Sequence, residues 1–270
     1  CSLCEALCGL EIEHEAGQVL TIRGNPRDVL SQGHLCPKAT ALQSLHEDPD
    51  RLRRPVRREG DRWVEVDWDT ALDEAAERLA DVQARHGRHA VAVYAGNPVA
   101  HNYSTLLMGL VFARALGSKS RYSATSVDQL PHMFAGLQMF GHQFLLPIPD
   151  VDRTALMIVV GGNPAVSNGS LMSAGGIVRR LKALRARGGR LVVCDPRRTE
   201  TAKLADAHHF VRPGTDALLF LAMLHVIFAE ALDDDGPWRE WTDGLADLEA
   251  VARRFPPDRV AGAVGMTAEA

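Results

Sequence analysis

No stretch of this sequence is apolar for long enough to cross a bilayer. The longest strongly apolar run, Ala217 to Ala231, is broken by His225 and Glu230 and falls short of the roughly 20 residues that a spanning helix needs, so no membrane span is expected in this chain. A surplus of positive charge is also missing. Thirty Lys and Arg stand against 34 Asp and Glu, a formal net charge of −4, and this excludes the clustered basic footprint of a nucleic-acid partner. The densest basic runs, Arg51 to Arg58 and Arg179 to Arg190, are short and read as solvated faces or local contacts. The chain begins on Cys1 without an initiator Met, so an export signal before it would not be visible and localisation stays open.

Cysteine is scarce after residue 36, where Cys194 alone occurs, at the end of an apolar run. It reads as a small buried hydrophobe. The other four crowd the amino-terminal segment as Cys1-x2-Cys4-x3-Cys8-x27-Cys36. A disulfide framework belongs to small secreted domains and would spread its bridges through the fold. Structural zinc usually takes two short-spaced pairs, whereas here three thiols share one loop and the fourth follows a long insertion. An iron–sulfur cubane suits the pattern better, because one tight loop can reach three corners while a distant residue closes the fourth. Zinc and disulfides remain the alternatives to it. Between Cys8 and Cys36, Leu10 to Glu15 and Val19 to Arg23 flank Ala16-Gly17-Gln18, the signature of a β-hairpin. The hairpin, followed by the turn Gly24-Asn25-Pro26, would bring Cys36 back to the loop of the other three.

Apolar residues make up 46% and charged residues 24% of the chain, the balance of a globular protein with a substantial core. A linker rich in Arg and Pro, around Asp48 to Arg62, suggests a boundary between a small domain over residues 1–55 and an α/β region over residues 56–270. The expected fold class is α/β, a small amino-terminal domain with its hairpin followed by a doubly wound, mainly parallel sheet. Trp63 to Val66 reads as a short strand, Asp69 or Thr70 as a helix cap, and Leu72, Ala75, Ala76 and Leu79 as one apolar helical face. Ala90 to Tyr94 reads as a buried strand ending at Ala95-Gly96-Asn97-Pro98; Leu106, Leu107, Leu110 and Val111 then trace a helix that Gly117 would stop. Ala155 to Val160, a helix marked by Ile177, Leu181 and Leu184, and Leu191 to Cys194 form a βαβ unit, and a strand near His209 to Val211 leads into a helix from about Asp216.

Three of these strands run into polar, glycine-bearing motifs: Gly161-Gly162-Asn163-Pro164, Asp195-Pro196-Arg197-Arg198-Thr199 and Pro213-Gly214-Thr215-Asp216. Open α/β sheets bind ligands beyond the carboxyl ends of their strands. Glycine allows close backbone approach, Arg and helix N-termini favour phosphate, and Asp accepts from a ribose or base. Each motif alone is often only a loop; three in succession point to a large nucleotide-like ligand. The full G-x-G-x-x-G fingerprint is absent, which argues against an ordinary NAD site.

Taken with Cys36-Pro37-Lys38 and with Trp68-Asp69-x-Ala71-Leu72 opening a helix, the cysteine array and the three strand-end motifs resemble the molybdopterin oxidoreductases of the dimethyl sulfoxide reductase and formate dehydrogenase type. The resemblance covers essentially the whole chain. It implies a [4Fe–4S] cluster on Cys1, Cys4, Cys8 and Cys36, and a molybdenum bis(molybdopterin guanine dinucleotide) cofactor, with tungsten as a possible substitute. Lys38 would assist electron passage between them. Asn163, Asp195, Arg197, Thr199, Pro213, Gly214 and Asp216 would contact one of the two dinucleotides. The metal's protein ligand in such enzymes is Cys, selenocysteine, Ser or Asp, expected between the strand after Gly117 and Gly161. No Cys occurs there, so the thiolate or selenolate typical of formate dehydrogenases and periplasmic nitrate reductases is not available. Asp128, a hard anionic donor suited to a high-valent metal, is the candidate ligand and Ser126 the second. His132 and His142 lie near the same stretch and could move protons, although a lone His is usually structural.

Members of this family are several hundred residues longer, and the resemblance implies that this chain is a fragment unable to hold the whole cofactor alone. The expected activity is two-electron or oxygen-atom transfer on a small-molecule or oxyanion substrate, with an electron-transfer protein or iron–sulfur subunit as partner. The competing readings are a non-catalytic iron–sulfur relay subunit, like the large peripheral subunit of respiratory NADH dehydrogenase, and a nucleotide-binding module with an amino-terminal zinc site.

Overall fold

The computed structural model describes residues 1–170 and 172–270, the side chains of Asn97 and Pro98 apart. By contacts the chain divides into two compact units. One comprises Cys1–Ile148 with residues 171–175, the other Pro149–Ser170 with Gly176–Ala270.

In the first unit, β1 (Leu10–Glu15) pairs antiparallel with β2 (Gln18–Gly24). Ala16 and Gly17, both at positive φ (48° and 83°), make the two-residue turn whose twist matches that of the strands. This is the hairpin expected from sequence. Two short helices follow, α1 (Pro37–Thr40) and α2 (Leu42–Glu47), and Pro37 at the first helical position fixes φ where no amide donor is needed. The Arg-rich stretch read as a linker contains a strand. β3 (Val56–Glu59) pairs antiparallel with β4 (Arg62–Glu65), and Arg57 reaches both Glu59 and Glu74. Cross-strand and ion-pair contacts thus replace the apolar alternation that would have announced β3.

The long helix α3 (Trp68–His86) is capped by Asp67, whose carboxylate accepts the Thr70 amide at 2.8 Å. The cap expected at Asp69 or Thr70 therefore sits two or three residues earlier, with Thr70 as the donor that Asp67 satisfies. The strand expected over Ala90 to Tyr94 is β5 (Val93–Ala95), and it leads through a 3-10 turn into α4 (Tyr103–Leu116), which Gly117 ends in the left-handed conformation. β6 (Arg121–Ser123) lies parallel to β5, and α5 (Leu130–Phe140) follows. Between them α3, α4 and α5 bury only Ala113 and Gly136. The apolar faces read from Leu72, Leu106, Leu107, Leu110 and Val111 are helical as expected, but these five residues are exposed.

In the second unit, β7 (Leu156–Val160), the one-turn α6 (Pro164–Ser167), α7 (Ile177–Ala186) and β8 (Arg190–Cys194) form the expected βαβ unit, with β7 and β8 parallel. β9 (Ala207–His209) joins parallel to β8, two residues earlier than the expected strand; the connection between them is a 3-10 turn in place of a helix. The sheet order is β7-β8-β9. Then α8 (Asp216–Ala229), α9 (Leu245–Ala252) and α10 (Pro257–Val264) follow. Contacts thus group residues 56–148 with the cysteine-bearing segment. No helix among the described residues is long and apolar enough to cross a membrane.

Ile177, Leu181 and Leu184 of α7 and Leu191 and Val193 of β8 are fully buried, and Cys194 packs with Val211, Leu219, Ala222, Val260 and Val264. The Arg run of α7 serves local contacts. Arg180 pairs with Asp152, Arg185 with Asp206, and Arg187 donates to the Val151 and Thr154 carbonyls. A cavity in the helix–sheet seam should be costly: Leu184→Ala is expected to destabilise the fold by about 2–5 kcal/mol, read as a lower urea midpoint at unchanged slope.

Candidate cofactor sites

All five cysteines are free thiols. Cys8 is buried and Cys1, Cys4 and Cys36 are half-buried. The loop that carries them is tied to the turn after the hairpin by backbone bonds. The Asn25 amide donates to the Gly9 carbonyl and the Gly33 amide to the Asn25 carbonyl, each at 3.0 Å. Gly24 has no alternative at its position, since a Cβ there would lie 2.2 Å from the Gly33 carbonyl oxygen. This return delivers Cys36 as the residue that opens α1, as expected from the turn at Gly24-Asn25-Pro26.

The thiols act on one another. Burial pushes Cys8 up, and the Cys4 and Cys36 thiolates push it in the same direction. Among the described residues no three His, Cys, Asp or Glu side chains converge closely enough to hold one ion. A cubane, whose corners each take a different thiolate, suits three thiols on one tight loop with a fourth brought back beside them. Lys38, in α1, is exposed. Asp128 lies in the segment between β6 and α5, its amide donating to the Thr125 carbonyl; Asp128 and Ser126 are both exposed. His142 accepts the Phe144 amide on Nδ1, a structural role.

The motifs at Gly161 and Asp195 directly follow β7 and β8, as expected, while three residues separate Pro213 from the end of β9 at His209. Gly161 (φ 64°) and Gly214 (φ 79°) adopt the left-handed conformation, and a Cβ on either would meet nothing within 4 Å, so the backbone is open there to close approach. Asp216 is the first residue of α8 and half-buried, and no side chain caps that helix end. Of its first-turn amides, that of Leu218 donates to the Thr215 carbonyl at 3.0 Å, and no side chain takes up those of Asp216 and Ala217, the pair an anion at this helix end would meet. Arg197 is exposed and pairs with Glu200 at 3.6 Å, while the buried Asp195 accepts the Arg197 amide at 2.7 Å.

Two more of the expected contact residues are likewise engaged within the chain. Thr199, buried, accepts the Ala202 amide at 3.0 Å. Asn163 accepts from both the amide (3.2 Å) and the hydroxyl (2.8 Å) of the fully buried Thr201, and donates to Glu200 at 2.8 Å. Thr201 in turn accepts the Ala165 amide at 3.0 Å, capping α6 from the neighbouring loop. Sequence reading passed over Thr201 and Glu200, which directly follow the Asp195-to-Thr199 motif; a further Thr beside a Glu at a strand-end loop was the only available signal.

Residues 51–266 match the molybdopterin oxidoreductase family and residues 1–46 match its Fe4S4 domain. The chain belongs to the molybdopterin oxidoreductase family. Among its relatives, acetylene hydratase of Syntrophotalea acetylenica is 31% identical over 276 residues, covering 99% of this chain and 36% of that protein. Formate dehydrogenase H of Escherichia coli (strain K12) is 27% identical, covering 99% and 38%, and the periplasmic nitrate reductase of Desulfovibrio desulfuricans is 26% identical, covering 97% and 35%. The solved structure of acetylene hydratase from Pelobacter acetylenicus superposes with a TM-score of 0.77 at 28% identity, covering 100% of this chain and 37% of that one. This molybdopterin oxidoreductase chain thus spans a little over a third of the length of the relatives it matches. A 4Fe–4S cluster and molybdopterin are the cofactors of its two matched regions.

The Asn163–Glu200 bond predicts an acid response. Donation from Asn163 holds the Glu200 carboxyl below the usual carboxylate range. The folded state then binds fewer protons than the unfolded one, so this contribution is present above the unfolded pKa, about 4.3, and is lost as pH falls below it. Glu200→Gln should flatten the acid limb of a stability–pH profile measured by thermal melts between about pH 3 and 6.

Proposed function

We propose that the full-length protein is a bis(molybdopterin guanine dinucleotide) enzyme that carries out two-electron or oxygen-atom transfer on a small-molecule or oxyanion substrate, with its electrons relayed through a [4Fe–4S] cluster. When bound, the molybdenum or tungsten centre supplies the two-electron chemistry and the cluster passes electrons singly. The observation that carries the reading is the joint match of residues 1–46 and 51–266 to the two parts of this family.

In this reading residues 1–55 hold the cluster through Cys1, Cys4, Cys8 and Cys36, and residues 56–270 contribute part of the dinucleotide site. Arg197 and the open first turn of α8 face phosphate, Asp195 and Asp216 accept from ribose or base, and Pro213 and Gly214 shape the backbone beside them. Asn163 and Thr199 contribute from loops they also brace. Asp128 supplies the protein's oxygen donor to the metal, a role supported by the lack of any Cys between Gly117 and Gly161. Lys38, beside the ligand Cys36 and exposed, assists electron passage. The partner is an electron-transfer protein or iron–sulfur subunit. The relatives' names span a hydratase, a formate dehydrogenase and a nitrate reductase, so substrate choice belongs to segments beyond this chain, and the chain by itself is inactive.

The test is elemental analysis and cofactor extraction of the full-length protein made anaerobically. About four irons with one molybdenum or tungsten and two pterin dinucleotides per chain is the composition a bis-dinucleotide enzyme with one cubane must have; four irons without the metal–pterin would make it a relay subunit instead. In the same protein Lys38→Ala is expected to slow reduction of the cluster by substrate at unchanged metal content, and stopped-flow traces identical to wild type would remove Lys38 from the relay.

A further inference from the structure

The Asp28 carboxylate joins the two ends of the cysteine array. Its Oδ2 accepts the Ser31 amide at 2.6 Å and the Ser31 hydroxyl at 2.5 Å, and receives the Gly9 amide at 3.4 Å. Ser31 Oγ accepts the same Gly9 amide at 3.2 Å. Gly9 directly follows Cys8, and Ser31 lies on the segment that leads to Cys36.

The clasp is close-fitting. Ser31 is fully buried. A Cβ on Gly9 would lie 2.6 Å from the Asp28 Cβ, and one on Gly175 would lie 3.1 Å from Cys8 Sγ and 3.3 Å from the Ser31 Cβ. The adjacent Arg27 is directed at Glu11, 4.0 Å away. Hydrogen bonds from Ser31 and Gly9 keep Asp28 below the usual carboxylate range, so its charge is present at neutral pH, bonded to the amide of the residue that directly follows Cys8.

Two effects on a cluster held by Cys8 follow, with the same sign. A fixed negative charge nearby opposes the addition of an electron. The Gly9 amide, the first donor after the ligand, is spent on oxygen acceptors and so is withheld from sulfur, where a hydrogen bond would favour the reduced state. We propose that Asp28 is a positioning residue that acts through Ser31 and Gly9 on Cys8 and sets the cluster's reduction potential low. This rests on the cluster assignment made above.

The experiment is an anaerobic redox titration of the full-length protein, followed by the electron paramagnetic resonance signal of the reduced cluster. Asp28→Asn keeps the shape and an acceptor oxygen but removes the charge. Asp28→Glu keeps the charge, and Asp61→Asn removes a fully exposed charge in the β3–β4 turn. The expected result is four irons in every form, a midpoint more positive in Asp28→Asn than in wild type, and little change in the other two. An Asp28→Asn midpoint equal to wild type, with the cluster intact, overturns the proposal. If Asp28→Asn binds no iron, Asp28→Ser supplies the second neutral variant; loss of iron in both makes the carboxylate a requirement for building the cluster and overturns a tuning role. Wild type without iron or signal would sink the cluster assignment itself, which sets that failure apart from an unshifted midpoint.

Discussion

Everything the amino-terminal segment can do depends on one return of the chain. Three thiols come free with a short loop, but the fourth is 28 positions after the third, and it arrives only because backbone meets backbone at Gly9, Asn25 and Gly33. Those contacts require glycine for a steric reason: at Gly24 and Gly9 a Cβ would overlap its neighbour. The hairpin supplies a rigid arm of fixed length, the turn reverses it, and Pro37 starts the helix that holds Cys36 at its edge. Backbone bonds thus order the return before anything binds, and that ordering does not have to be met out of binding energy.

The second unit solves a different problem in a similar way. Its strands end in loops, which would be mobile if left to themselves. Those after β7 and β8 are fastened by their own polar side chains: Asp195 to the Arg197 amide, Thr199 to the Ala202 amide, and Asn163 and Thr201 to one another across two loops. Residues that read as ligand contacts from their motifs are thus also the braces of the loops that present them.

What could be read from sequence follows from the range of the interactions. The hairpin was legible because Leu20 and Ile22 alternate around a local turn, and the βαβ unit because its strands are continuous apolar runs. The cysteine site was legible because spacing alone limits what four thiols can hold. β3 was hidden, since its stability comes from pairing and from Arg57 with two carboxylates, neither of which leaves an apolar pattern. Choosing Asp67 over Asp69 and Thr70 as the cap of α3 needed geometry, because three capping residues stand within four positions. The Asn163–Thr201 clasp spans 38 positions, and no local pattern announces a bond of that range.

The clasps also decide where this chain can change in length. The hairpin turns at Gly17 and Gly60 have open space around them, and lengthening such a turn costs little, roughly 0.6 kcal/mol per doubling of the loop. The β8–β9 connection offers no such freedom. Its residues are counted off by bonds at Asp195, Thr199 and Thr201, and a single insertion there would pull Thr201 away from Asn163 and uncap α6 in the same step. Insertions and deletions should therefore collect in the hairpins of the first unit and avoid residues 195–206, making chain length itself a record of which loops are clasped.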